Sequence, residues 1–259
     1  MVHVNLISLF KSIVSFGSRE RNKEIAKIQQ EDHTYARGNI ENRGPCPGLN
    51  SLANQGYLCV FSMLFVTTFS NVPSRPRDGN NITLPRVEAA LMDGLHMSST
   101  LASTLARTLR PLCRSDGTFD LRDMRKHNVL EHDRSFTRLD FRQGDNYTFQ
   151  PPMFQALLDD ADGGPVTIPT LAKTYVRRKK EAKKSGTPRL SISLWGVNLI
   201  QTVSFYHTAA MPSLSKETMT TFYVEERFPD QILKNSKKRT LLGLIWDTVI
   251  LMYCIVFKA

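Results

Sequence analysis

A single cysteine stands between two prolines in Pro45-Cys46-Pro47-Gly48-Leu49-Asn50. Pro47 suits the first position of a helix, where its missing N–H would be unpaired in any case. A cysteine just ahead of that helix faces its unpaired N–H groups and the positive end of its dipole. Both favour thiolate over thiol. Such a sulfur suits a nucleophile or a metal ligand, and the alternative is a buried structural cysteine in a turn. The other cysteines are Cys59, Cys113 and Cys254. No two of the four have CxxC spacing, which excludes a zinc knuckle or a thioredoxin-type redox pair.

A second group lies in Glu131-His132-Asp133-Arg134-Ser135. Two carboxylates and a hydroxyl this close can converge on a hard cation. His132 would then point elsewhere, available for acid–base work.

Helices must position these residues, because apolar spacing of three and four prevails and alternating strand patterns are nearly absent. A helix starts at Pro47. A long helical pattern covers residues 84–112, with Val87, Leu91, Leu95, Met97, Leu101, Leu105 and Leu109 along one face. A short helix or turn lies around residues 120–132. Further helices start near Pro151 and Pro152, and run through residues 167–185 up to Gly186 and Pro188. Residues 189–209 read as a helix that is apolar on most sides, and Ser215 reads as the cap of another. The expected fold is all-α, a single mostly helical domain over residues 32–239. Residues 1–31 read as a poorly ordered leader that only weakly resembles a signal peptide, since Lys11 breaks its apolar run. Residues 240–259 read as an apolar C-terminal helix interrupted by Asp247: either a membrane anchor or a helix packed on the domain.

The formal net charge of +10 permits anionic partners without establishing them. Much of the excess sits in residues 173–184 and 234–239, read as solvated surface. Neither run has the interleaved aromatics of a stacking platform for single strands, and no nucleic-acid partner is expected. Two glycosylation sequons begin at Asn81 and Asn146.

In this order, the stretches PCPGLNSLANQGY, PRDGNNIT, EHDRSFTRLD and FYVEERFP resemble the heme-thiolate peroxidase family. That family contains chloroperoxidase and the fungal unspecific peroxygenases, and the EHD form is similar to its short branch. The resemblance covers roughly residues 32–240 and implies a helical domain of the chloroperoxidase type with one heme b. It implies Cys46 as the axial ligand of the heme iron, where a thiolate favours O–O cleavage. It implies Glu131, Asp133, Ser135 and the His132 carbonyl around Mg2+ beside a heme propionate. It also implies that the His132 side chain orients an acid–base glutamate. The expected substrates are hydrogen peroxide and a small organic molecule that is oxidised, oxygenated or halogenated. Secretion is implied as well.

Three departures stand out. Residues 59–75 form an apolar insert where the family runs directly from a GYL-like to a PRDG-like segment: a retained intron, or a hydrophobic lid. The segment expected to open with the acid–base glutamate is best matched by Gln201-Thr202-Val203-Ser204-Phe205-Tyr206, which puts Gln201 at the catalytic position. A glutamine cannot take up a proton, so activity would be impaired. The remaining downstream candidates are Glu217, Glu225 and Glu226, the last two expected to pair with Arg227. The tail after Pro229 is apolar where the family is polar, through a real anchor or an altered reading frame. Three readings follow: an active peroxidase or peroxygenase, a catalytically impaired heme-binding homologue, and a basic membrane-associated protein without heme.

Overall fold

The computed structural model describes residues 18–58 and 77–259. The insert, residues 59–75, lies outside the described residues. Helix α1 (residues 18–28) falls within the expected leader. It is not a loose segment: Ile28 is fully buried, and Arg21 pairs with Glu88 at 2.9 Å. The apolar content of residues 25–28 was too short to signal this, and ion pairs supply the rest.

Helix α2 (Pro47–Asn54) starts at Pro47 with Cys46 as its cap. The long pattern over residues 84–112 is broken into α3 (Leu84–Leu95) and α4 (Ser99–Thr108). His96 closes α3 in the left-handed region, φ 50°, and Ser98 caps α4 through its hydroxyl. The apolar face continues across the break, so spacing alone reads as one helix, while two polar residues end it locally. A two-residue pair of strands, β1 (Ile82–Thr83) and β2 (Thr118–Phe119), runs antiparallel. A 3-10 turn (Leu121–Arg125) lies where a short helix or turn was expected.

The second half is helical: α5 (Pro151–Asp159), α6 (Ile168–Lys184), α7 (Ile192–Ala209), α8 (Lys216–Tyr223), α9 (Asp230–Leu233) and α10 (Leu241–Phe257). Ser215 caps α8 as expected. Helix α7 is apolar on most sides, as its sequence reads, yet it is not buried all round: Ile192, Trp195 and Ile200 are exposed. Helix α10 packs on α6 and α7. Its Asp247 accepts from His207 Nδ1 on α7 at 2.8 Å, which places a carboxylate in an apolar helix. Leu244, Leu251 and Cys254 face inward, while Leu242, Trp246, Val256 and Phe257 are exposed. Among the described residues, no helix is long and apolar enough to cross a membrane. The fold is all-α, as expected.

The two basic runs are not wholly solvated. Arg178 is buried and binds Asp140 Oδ1 at 2.9 Å and the Ser135 carbonyl at 2.8 Å. Arg239 is buried and donates to the carbonyls of Thr208 and Ile232. Both arginines donate to backbone carbonyls of other segments, a job that charge counting does not reveal. Of the two sequons, Asn81 is exposed and Asn146 is buried.

Candidate active site

The four family-like stretches are far apart in sequence and meet in space. Asn50 Nδ2 donates to the Gly44 carbonyl (2.9 Å) and to Glu226 Oε1 (2.8 Å). Arg138 donates to the same Glu226 oxygen at 3.0 Å. Asn54 donates to the Glu226 carbonyl, and Gln55 exchanges two hydrogen bonds with the backbone of Phe228. Glu226 adopts φ 50°, a left-handed conformation that turns its carbonyl and side chain toward α2. Gly79, at φ 76°, fits where a Cβ would come within 2.8 Å of the Asn42 carbonyl, and its own carbonyl accepts from Leu121. The expected pairing with Arg227 holds for Glu225, at 3.1 Å, and not for Glu226. The left-handed backbone at Glu226 sends the two adjacent carboxylates in different directions.

This network backs a cavity of about 290 Å³. Its wall carries Cys46, Glu131, His132, Arg134, Ser135, Arg138 and Gln201, set among Leu49, Leu91, Leu105, Phe136, Phe205 and Phe222. Phe205 of α7 and Phe222 of α8 stack at 3.6 Å between ring centroids. Burial pushes the Cys46 thiol up. The N–H groups of Leu49 and Gly48, and then the Arg138 guanidinium, act in the opposite direction. The helix N-terminus therefore works against burial here, and does not win over it. Burial also pushes the Tyr223 phenol up to about 12.

His132 is buried, and burial lowers its pKa. Its Nδ1 lies 2.7 Å from the Asp133 carbonyl, a contact that only a protonated Nδ1 satisfies. Its Nε2 lies 3.1 Å from Gln201 Oε1. A neutral ring satisfies that contact when the amide turns so that its NH2 donates to Nε2. Gln201 itself is exposed, on the open side of the cavity.

The two carboxylates expected around magnesium are engaged by other groups. Glu131 Oε2 accepts from His127 Nδ1 at 2.7 Å, and His127 Nε2 lies 3.9 Å from Asp133 Oδ2. The other Asp133 oxygen accepts from the Phe141 N–H at 2.7 Å. The His127 ring is held by stacking on Phe141, 4.2 Å between centroids. Burial pushes the Glu131 carboxyl up, and His127 pulls it back. Among the described residues no cluster of three or more histidine, cysteine, aspartate and glutamate side chains is arranged for a metal ion. An imidazole thus stands between the carboxylates of Glu131 and Asp133, and these two side chains do not converge on one point in this structure, as a magnesium set of Glu131, His132, Asp133 and Ser135 would need.

A heme fits better. The cavity is largely apolar, carries a cysteine sulfur at a helix N-terminus, and leaves Arg134 Nε and Asn198 Oδ1 buried without partners. The sequence reading missed four contributors: His127, Arg134, Asn198 and the Glu226–Arg138 pair. Asn198 was findable as a polar residue inside an apolar helix. The others depend on contacts between distant segments.

The chain is similar to several known proteins of one family. Chloroperoxidase of Leptoxyphium fumago is 27% identical over 143 residues, covering 49% of this chain and 34% of that protein. The aromatic peroxygenase of Coprinellus radians is 27% identical over 209 residues, 74% of this chain and 78% of that protein. The aromatic peroxygenase of Cyclocybe aegerita is 30% identical over 122 residues, 45% of this chain and 32% of that protein. The chain thus matches about a third of the length of the first and third. The family model "Peroxidase, family 2" matches residues 71–239, most of the segment in which the cavity is built. With that match over more than half of its length, the chain belongs to peroxidase family 2, the chloroperoxidase family.

Proposed function

We propose that this protein is a heme-thiolate peroxidase or peroxygenase that uses hydrogen peroxide to oxidise a small organic substrate. The observation that carries the reading is that Cys46, His132 and Gln201 line one cavity, with His132 and Gln201 in hydrogen-bond contact. In this reading Cys46 binds the iron of heme b, and the apolar wall holds the macrocycle. Heme, when bound, supplies the redox-active iron for peroxide cleavage.

The chain's own groups then do the following. The N–H groups at the start of α2 and the Arg138 cation offset part of the cost of a buried thiolate. His132, kept neutral by burial, fixes the Gln201 amide. Gln201 orients peroxide by hydrogen bonding and accepts no proton, so the general-base contribution of about 10²–10⁴-fold is missing. An impaired heme-binding homologue is the second reading, and Gln201 is what favours it. No step is routed through magnesium.

Export from the cell belongs to the same proposal, and occupancy of the exposed Asn81 by a glycan would support it. The deciding experiment is an absorption spectrum of the reduced, purified chain under carbon monoxide. A strongly red-shifted Soret band that is lost in Cys46→Ala supports the reading. A histidine-like band refutes Cys46 as ligand, and absence of heme uptake refutes the proposal.

A further inference from the structure

Among the described residues that line the cavity, Arg134 is the cation with an unpaired buried N–H. Arg138 is consumed by Glu226, Thr137 and the Tyr147 carbonyl. His132 is held neutral by burial. Arg134 lines the same cavity, and its Nε is buried with no partner. A guanidinium is a permanent cation, and an N–H left unpaired in an apolar wall costs free energy that a ligand would recover.

The backbone at Arg134 adds to this cost. Its φ is 72°, in the left-handed region that disfavours a long side chain. The conformation is imposed from both sides. The Arg134 N–H donates to Asp140 Oδ1 at 2.7 Å, and the Ser135 carbonyl accepts from Arg178 at 2.8 Å. Asparagine or glycine would occupy this turn with less strain. The position nevertheless carries an arginine, and it lines the cavity. A second buried polar atom, Asn198 Oδ1, lacks a partner in the same wall. Turning that amide offers an N–H beside the cavity in place of the oxygen.

We propose that Arg134 is a carboxylate-binding residue of the cavity. This rests on the heme-thiolate reading for one of its two sources, a heme propionate. The other source is the carboxylate of an organic substrate. Planar guanidinium and carboxylate match in geometry, and charge-assisted hydrogen bonds are the strong ones in an apolar site.

The test compares the full-length wild type with Arg134→Asn, which removes the charge and suits the left-handed backbone. Arg134→Lys, which keeps the charge, is the second variant. Heme and heme dimethyl ester are each titrated into apo protein. The expected result is a preference for heme over its diester of about tenfold or more in the wild type. Arg134→Asn should remove that preference without changing diester affinity, and Arg134→Lys should keep part of it. In the second arm, hexanoate and hexanamide are titrated by calorimetry into the same proteins. If only hexanoate binding falls by about tenfold in Arg134→Asn, the carboxylate is that of a substrate. If neither preference changes in a variant that melts like the wild type, the proposal is overturned. Failure of the wild type to give a thiolate-type carbon monoxide spectrum would defeat the heme reading alone, because the hexanoate arm needs no heme.

Discussion

Around Cys46, buried side chains from three distant segments satisfy one another: Asn50, Arg138 and Glu226 share a single carboxylate oxygen. Around His132, the contacts are fewer and more local, and the decisive one reaches an exposed residue, Gln201. The first wall is a structural keystone, since removing one partner strands a buried charge. The second is held by one ring and one amide, so a change there alters chemistry and leaves the fold intact. The contrast shows how a chain can keep its architecture while the residue in contact with His132 varies.

The largest effect should come from the lightly held wall. Gln201→Glu restores a proton acceptor in contact with His132, and peroxide turnover should rise by about 10²–10⁴-fold. Steady-state kinetics on heme-loaded protein checks it. An unchanged rate in a folded, heme-loaded variant would remove Gln201 from the reacting position.

Next comes the keystone. Glu226→Ala leaves Arg138 buried without its anion, and the cost should be about 3–5 kcal/mol in denaturant unfolding. A loss under about 1 kcal/mol, the scale of a surface pair, would show that the first wall is no more tightly built than the second.

A smaller effect is pH-dependent. The Tyr223 phenol has a folded pKa of about 12 against an ordinary value of 10.0. Its contribution is full below pH 10 and is lost as pH rises toward 12, because only the unfolded chain ionises there. Thermal melts of wild type should therefore fall over that window more steeply than those of Tyr223→Phe.

The smallest concerns α7, which carries Gln201 and is clamped by α10. Asp247→Asn weakens the contact with His207 and should cost about 1 kcal/mol or less, with hydrogen exchange rising first in α10.

Much of the site could be read directly. The placement of Cys46 before α2, the cap at Ser215 and the start of α5 at prolines follow from local chemistry, and the structure has them. The break between α3 and α4 did not follow, because the apolar face is continuous across it. Nor did the packing of residues 18–28, whose ion pairs with α3 span more than sixty residues. Arg178 and Arg239 look like members of solvated basic runs until the carbonyls they bind are brought to them.

The sequence by itself determined the helical class, the sulfur at a helix N-terminus and the glutamine that opens the helical segment ending in Tyr206. Those are matters of period, cap and residue type, which act over a few positions. Only the tertiary structure decided that Glu226 serves Arg138 and Asn50, that His127 stands between the carboxylates of Glu131 and Asp133, and that Arg134 lines the cavity with an unpaired N–H. Each depends on the burial of a charge and on who is left to pair with it. That is settled when distant segments pack, because a buried polar group must find its partner wherever the fold places one.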